Sequence, residues 1–455
     1  MQFRIVLASV AFAALAGCAT PATGPVAHGP IGLAATREEA PKPAACPGGL
    51  PVGTRCLAGQ DSAGAFYLVA VPAHWNGILV LHAHGGPTLG APKSERSVED
   101  LKRWGVVVKA GYAWAGSTFH QGGVAVHAAA QDTERLRRIF VQHVAQPKLT
   151  ILHGQSWGAS VAAVAASMFT DDGAGHRPYD GVLLSSGVLA GGSHAYDFRL
   201  DLRVIYQSLC GNHPLPTEAQ YPLSIGLPAN SQLTSAELRR RVDACLGLDK
   251  PEAQRTPEQQ RKVKTIVDVV KIPAKSIEGH LAWGTFHFQD VVQRRTGGRS
   301  PFGNVGVKYS GSLDDAALNA SVARYGADPQ AVATFAADTD PDGRIPVPVL
   351  TVHGIDDPTA FVEMDDSFRR TMEKAGTSDH LVQTFTADNT HSYLSDSTYP
   401  TLLAALVDWV RGAHKPTPAQ IAERCHQFES VFGANCRFRP DYYPAPLSSR
   451  VPPRP

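Results

Sequence analysis

Short, mostly apolar runs recur at 64–72, 77–82, 111–116, 149–152, 181–185 and 347–352, and a last strand is expected over 380–385. The runs are apolar rather than alternating, which predicts strands of a parallel sheet covered on both faces. Between them apolar positions return at helical spacing. A helix is expected over 131–144, with Leu136, Ile139, Phe140 and Val144 along one face, and others over 158–168, 363–375 and 402–411. Strands alternating with helices predict an α/β fold with a mostly parallel central sheet. The alternation stops near Ala190 and resumes near Val347. Inside that gap Thr234-Ser235-Ala236-Glu237 and Thr256-Pro257-Glu258-Gln259 both read as capping boxes, so a large, mainly helical insertion is expected over 191–346. Its Trp283, Phe286, His287 and Phe288 are candidates for lining a cleft.

The amino terminus reads as a targeting segment. Arg4 precedes an apolar stretch over 5–16 that is too short to span a bilayer. The stretch ends in Leu15-Ala16-Gly17-Cys18, which resembles the bacterial lipobox. That resemblance implies a lipoprotein signal peptide over 1–17, a lipid anchor on Cys18 and, from Ala19, the outer membrane. An ordinary signal peptide cut nearby is the alternative, and either one exports the chain. Residues 18–45 are rich in Pro, Ala and Gly and read as a tether. The core is expected over 46–190 and 347–415, with a carboxy-terminal extension over 416–455 whose last residues, 451–455, should fray.

Composition adds limits. Lys and Arg number 42 against 41 Asp and Glu, a formal charge of +1, so bulk charge selects neither nucleic acid nor an anionic membrane. Beyond Cys18 six cysteines remain: Cys46, Cys56, Cys210, Cys245, Cys425 and Cys436. Six allow fifteen connectivities, and sequence does not choose among them. Neighbour pairing is the expectation, and none has zinc-type spacing.

The candidate chemistry centres on Gly154-Gln155-Ser156-Trp157-Gly158, set between an apolar run and a small-residue helix. In a G-x-S-x-G turn the serine is held in strained geometry at the strand end, and the outer glycines let neighbouring backbone pass closely. His84-Gly85-Gly86-Pro87 follows the 77–82 run, where glycines let N–H groups face a cleft. His353-Gly354-Ile355-Asp356-Asp357-Pro358 follows the 347–352 run, and Asn389-Thr390-His391-Ser392 follows the last one. A serine hydroxyl needs an imidazole to take its proton, and the imidazole needs a carboxylate to orient it.

In the order Ser, Asp, His, these motifs resemble the α/β-hydrolase superfamily over roughly 48–190 and 347–413. The resemblance implies an α/β-hydrolase fold with a large cap, Ser156 as nucleophile, His391 as base and Asp357 as acid, with Asp356 the alternative. It implies an oxyanion hole from the N–H groups of Gly86 and Trp157, since Pro87 has none. His-Gly-Gly-Pro also resembles proline iminopeptidases, although Thr88 stands where they keep glycine. Trp75-Asn76-Gly77 resembles tannase and feruloyl-esterase relatives, although Gln155 and Ser392 stand where those carry a bridging cysteine pair. Asp338-Thr339-Asp340-Pro341-Asp342-Gly343 resembles the start of a calcium loop, but position twelve is Val349 rather than glutamate, and no metal is expected.

The expectation is an exported serine hydrolase that cleaves a small or oligomeric carboxylic ester. No cofactor or nucleic acid is expected, and membrane contact is expected through the lipid anchor alone. An aminopeptidase or amidase is the alternative, and a non-catalytic envelope binding protein the third reading.

Overall fold

The computed structural model describes residues 37–454. The expected signal peptide and Cys18 therefore lie outside the described residues.

Among the described residues nine strands form one sheet: β1 (Lys42–Ala44), β2 (Arg55–Gln60), β3 (Phe66–Val71), β4 (Ile78–Ala83), β5 (Ala113–Ser117), β6 (Leu149–Gln155), β7 (Gly181–Ser185), β8 (Val349–Gly354) and β9 (Leu381–Thr386). Their order is β1-β2-β3-β5-β4-β6-β7-β8-β9, antiparallel from β1 to β5 and parallel from β5 to β9. The apolar runs are buried on both faces because alternate residues serve different layers. In β4, Leu79, Leu81 and Ala83 join the core under α2 (Val126–His143) and α3 (Trp157–Met168). Ile78 and Val80 join the core under α1 (Glu95–Lys109).

The helices between β7 and β8 are α4 (Gly192–Ala195), α5 (Asp197–Cys210), α6 (Ser235–Leu246), α7 (Pro257–Val270), α8 (Ile277–Ala282), α9 (Phe288–Asp290), α10 (Asp315–Ser321) and α11 (Pro329–Thr339). α8 and α9 belong to one helix that continues through π-turns at Trp283–His287 and Val291–Arg295. After β8 come α12 (Met364–Ala375), then α13 (Thr398–Val410) and α14 (Pro418–Phe432). Thr256 and Gln259 cap α7 reciprocally, as expected. At α6 Thr234 accepts from the Glu237 N–H, but the return bond is missing because Arg240 and Arg241 hold the Glu237 carboxylate.

Several elements differ from expectation. The sheet starts before Cys46, because β1 pairs with β2 and buried Glu38 holds Ser62. The helix α1 fills a stretch left unassigned, with Trp104 fully buried in it, and α2 begins at Val126 rather than 131. The tail does not fray where described: Val451 is buried, and Arg454 pairs with Asp201 of α5 at 3.0 Å. Disulfides join Cys46 to Cys56, Cys210 to Cys245 and Cys425 to Cys436, the neighbour pairing.

The acidic string before β8 is drawn into packing. Asp338 accepts the Val126 and His127 N–H groups at 3.2 Å, stabilising the positive end of α2, and Asp340 accepts from Ser193.

Candidate active site

β6 delivers Ser156 at its carboxyl end. The serine sits at φ 56°, ψ −122°, outside the regions a side chain ordinarily occupies, and it is 7% exposed. The flanking glycines permit this. A Cβ on Gly154 would lie 2.3 Å from Gly158 O, and one on Gly158 would lie 2.1 Å from Ala83 O. The elbow is anchored through the Ser156 N–H to Ser185 O at 2.9 Å.

The loops after β8 and β9 bring the other two groups. His391 Nδ1 donates to Asp357 Oδ2 at 2.7 Å, which leaves Nε2 to accept from Ser156 Oγ at 2.8 Å. Asp357 is buried, its Oδ1 accepting the Thr359 and Ala360 N–H groups at 2.8 and 3.0 Å. Burial favours its neutral form, yet electrostatic attraction to the His391 ring and then the bonds from His353 and His391 prevail and hold it at about 2. Asp356, the alternative acid, is exposed, and it is Asp357 that His391 meets.

Around these lies a shell that sequence spacing did not expose. His353 is fully buried, with Nδ1 2.6 Å from Asp365 Oδ2 and Nε2 2.9 Å from Ala360 O and 3.4 Å from Asp357 Oδ2. Every one of these partners only accepts, so both ring nitrogens carry protons and the ring is an imidazolium. Gln155 Nε2 donates to Ser392 Oγ at 2.8 Å, tying the residue before the nucleophile to the residue after the base. The histidine of H-G-x-x-D was the one visible signal of this shell. Its carboxylate partner, eleven positions past Gly354, was not.

The expected oxyanion donors, Gly86 and Trp157, lie in the loop after β4 and at the start of α3. Gly86 is exposed, at φ 70°. Among the described residues neither N–H meets an acceptor. Arg96 of α1 donates to Gly85 O at 2.5 Å and fixes this loop. The indole of Trp157 packs edge-on to Phe119 at 5.8 Å. The chemistry available is nucleophilic attack by a hydroxyl with proton transfer through one imidazole.

The strand order, the strained elbow and the three loops together define the architecture. This is an α/β-hydrolase fold with a large helical cap.

No family model matches the sequence, and no curated protein matches it. Among solved structures, an esterase from Aspergillus oryzae is similar over 79% of this chain and 80% of its own, at 13% identity and a TM-score of 0.41. Feruloyl esterase B from Aspergillus oryzae is similar over 79% and 81%, at 15% identity and a TM-score of 0.41. A ligand-bound form of the rice cell wall degrading esterase LipA from Xanthomonas oryzae is similar over 74% and 83%, at 15% identity and a TM-score of 0.37. At this distance they say nothing of what this chain acts on.

Proposed function

We propose that the chain is a serine hydrolase that cleaves carboxylic esters through an acyl-enzyme intermediate. The observation that carries this reading is the unbroken line from Ser156 Oγ through His391 to Asp357, with spacings of 2.8 and 2.7 Å. Ser156 Oγ attacks the ester carbonyl while His391 Nε2 takes its proton, and Asp357 stabilises the imidazolium. The tetrahedral oxyanion binds the N–H groups of Gly86 and Trp157. On collapse His391 returns the proton to the departing alcohol, and water repeats the sequence to free the acid.

Export with a lipid on Cys18 belongs to the same reading, and the three disulfides fit an oxidising compartment. Fatty-acid labelling of cells, lost in Cys18→Ser, tests the anchor. For the chemistry, p-nitrophenyl esters are compared with amino-acyl p-nitroanilides. Esters should be the better substrates, and Ser156→Ala should cost on the order of 10⁶ in turnover. Preference for the anilides would make the chain an aminopeptidase, and a loss below about tenfold would remove Ser156 from the chemistry.

A further inference from the structure

The long cap helix crosses both loops that carry the proposed chemistry. His280 Nε2 donates to Pro358 O at 3.0 Å, one residue beyond Asp357, and His287 Nε2 donates to Pro87 O at 2.9 Å, one residue beyond Gly86. Trp283 lies between them, partly exposed, and stacks on His287 at 4.7 Å. This segment roofs those two loops.

Against Trp283 lies Arg199 of α5. Its guanidinium carbon is 4.3 Å from the Trp283 ring centroid, 4.6 Å from that of Phe198 and 5.1 Å from that of Tyr196. The residue is 5% exposed, and its Nε is buried with no partner. Among the described residues the guanidinium makes no hydrogen bond and no ion pair, so aromatic contacts are all that it has. Arg203, one turn further along α5, is also buried, but it donates to the carbonyls of Leu223 and Gly284.

Burying a cation without a counter-charge opposes folding, and proteins ordinarily avoid it. Burial lowers the Arg199 pKa to about 10, partly opposed by Tyr196, so the group stays charged at neutral pH. His280 is lowered to about 3, first by burial and then by the charge of Arg199. His287 is lowered to about 4, again first by burial, with Arg199 contributing. The two roof histidines are therefore neutral, and the Arg199 charge reaches both ends of the roof.

We propose that Arg199 binds a carboxylate of the substrate, so that the ester cleaved here carries a free acid group on its acyl or its alcohol side. The inference rests on the hydrolase reading above. Three rings pack against the guanidinium, and with no hydrogen bond inside the described protein its N–H groups remain for a bidentate carboxylate. In so dry a setting the pair is strong, and a neutral ester leaves the cation unpaired, which is how a buried polar site discriminates.

The test uses two matched pairs with the purified chain. The mono-p-nitrophenyl ester of glutaric acid is compared with p-nitrophenyl pentanoate, and 4-acetoxybenzoate with its methyl ester. In at least one pair the acid should be favoured in kcat/KM by about 10- to 100-fold, the range expected of a charge-assisted hydrogen bond. Arg199→Met should collapse that ratio, and Arg199→Lys should keep part of it. No preference in either pair for the wild-type chain overturns the proposal without needing any variant. So does an Arg199→Met loss that is equal for both members of the favoured pair, which marks a structural role.

Calorimetric titration of Ser156→Ala with glutarate and with 4-hydroxybenzoate separates the two readings. Binding that depends on Arg199, with no ester turned over by the wild-type chain, removes the hydrolase and keeps the carboxylate site. Turnover without preference does the reverse.

Discussion

His353 is the group whose replacement should be most visible in the pH dependence of stability. Burial alone would strip its proton, but the charge of Asp365 and the bonds to Asp357 and Asp365 reverse this and raise it to about 10 from 6.5. A raised pKa in the folded state gives stabilisation that is complete below about 6.5 and lost as the pH climbs through about 10. Between those limits the folded chain holds one more proton than the unfolded chain. Stability should therefore fall by about 1.4 kcal/mol per pH unit, on the order of 4 kcal/mol from pH 7 to pH 10.

His353→Gln removes that titration. The variant should be less stable at pH 7, where Asp357 and Asp365 lose the cation between them, and its stability should change less with pH. Urea unfolding of both proteins at one-unit intervals from pH 7 to pH 10 measures the two slopes. The gap should close by about 1.4 kcal/mol per unit, and parallel slopes would refute a buried imidazolium.

Other replacements probe the site's supports. Gly158→Ala places a Cβ 2.1 Å from Ala83 O and 2.5 Å from His84 O, both backbone atoms that cannot swing aside. Thermal melts should show a loss of about 3 kcal/mol or more, and ester turnover should fall with it. Gln155→Ala severs the tie to Ser392, so stability should drop by about 1 kcal/mol; steady-state kinetics should show kcat down about tenfold with KM nearly constant. Replacing Cys210 and Cys245 by serine opens a link across 35 residues and should cost about 4 kcal/mol, against about 3 for the pair 425 and 436, separated by 11. Denaturant midpoints of the two variants give the ranking.

The parts of this account that were legible in sequence are those encoded locally. Ser156 announced itself because the elbow needs glycines at fixed offsets, and β4, β6, β7 and β8 because strands buried on both faces are apolar throughout. The helix α1 escaped because Gly105 and the β-branched run from Val106 to Val108 weaken a helical pattern that burial of Leu101 and Trp104 restores. β1 escaped because its Lys-Pro-Ala sequence has no strand signature of its own, and pairing with β2 supplies it.

The shell around the site was illegible for a different reason. Asp365 meets His353, and Gln155 meets Ser392, across loops from separate strands, and no spacing rule joins them. Arg199 was least visible of all. Tyr196 and Phe198 stand beside it in sequence, but nothing local shows that Trp283, more than eighty residues away, packs over it and that no counter-ion meets it.

The central claim is that Ser156 is an activated nucleophile. Its most direct test is intact-mass and peptide mass spectrometry of the purified chain after a fluorophosphonate probe, beside His391→Ala. The account predicts one adduct per chain, on Ser156, formed far more slowly in the variant. No adduct on Ser156, or equal labelling in the two proteins, would contradict it.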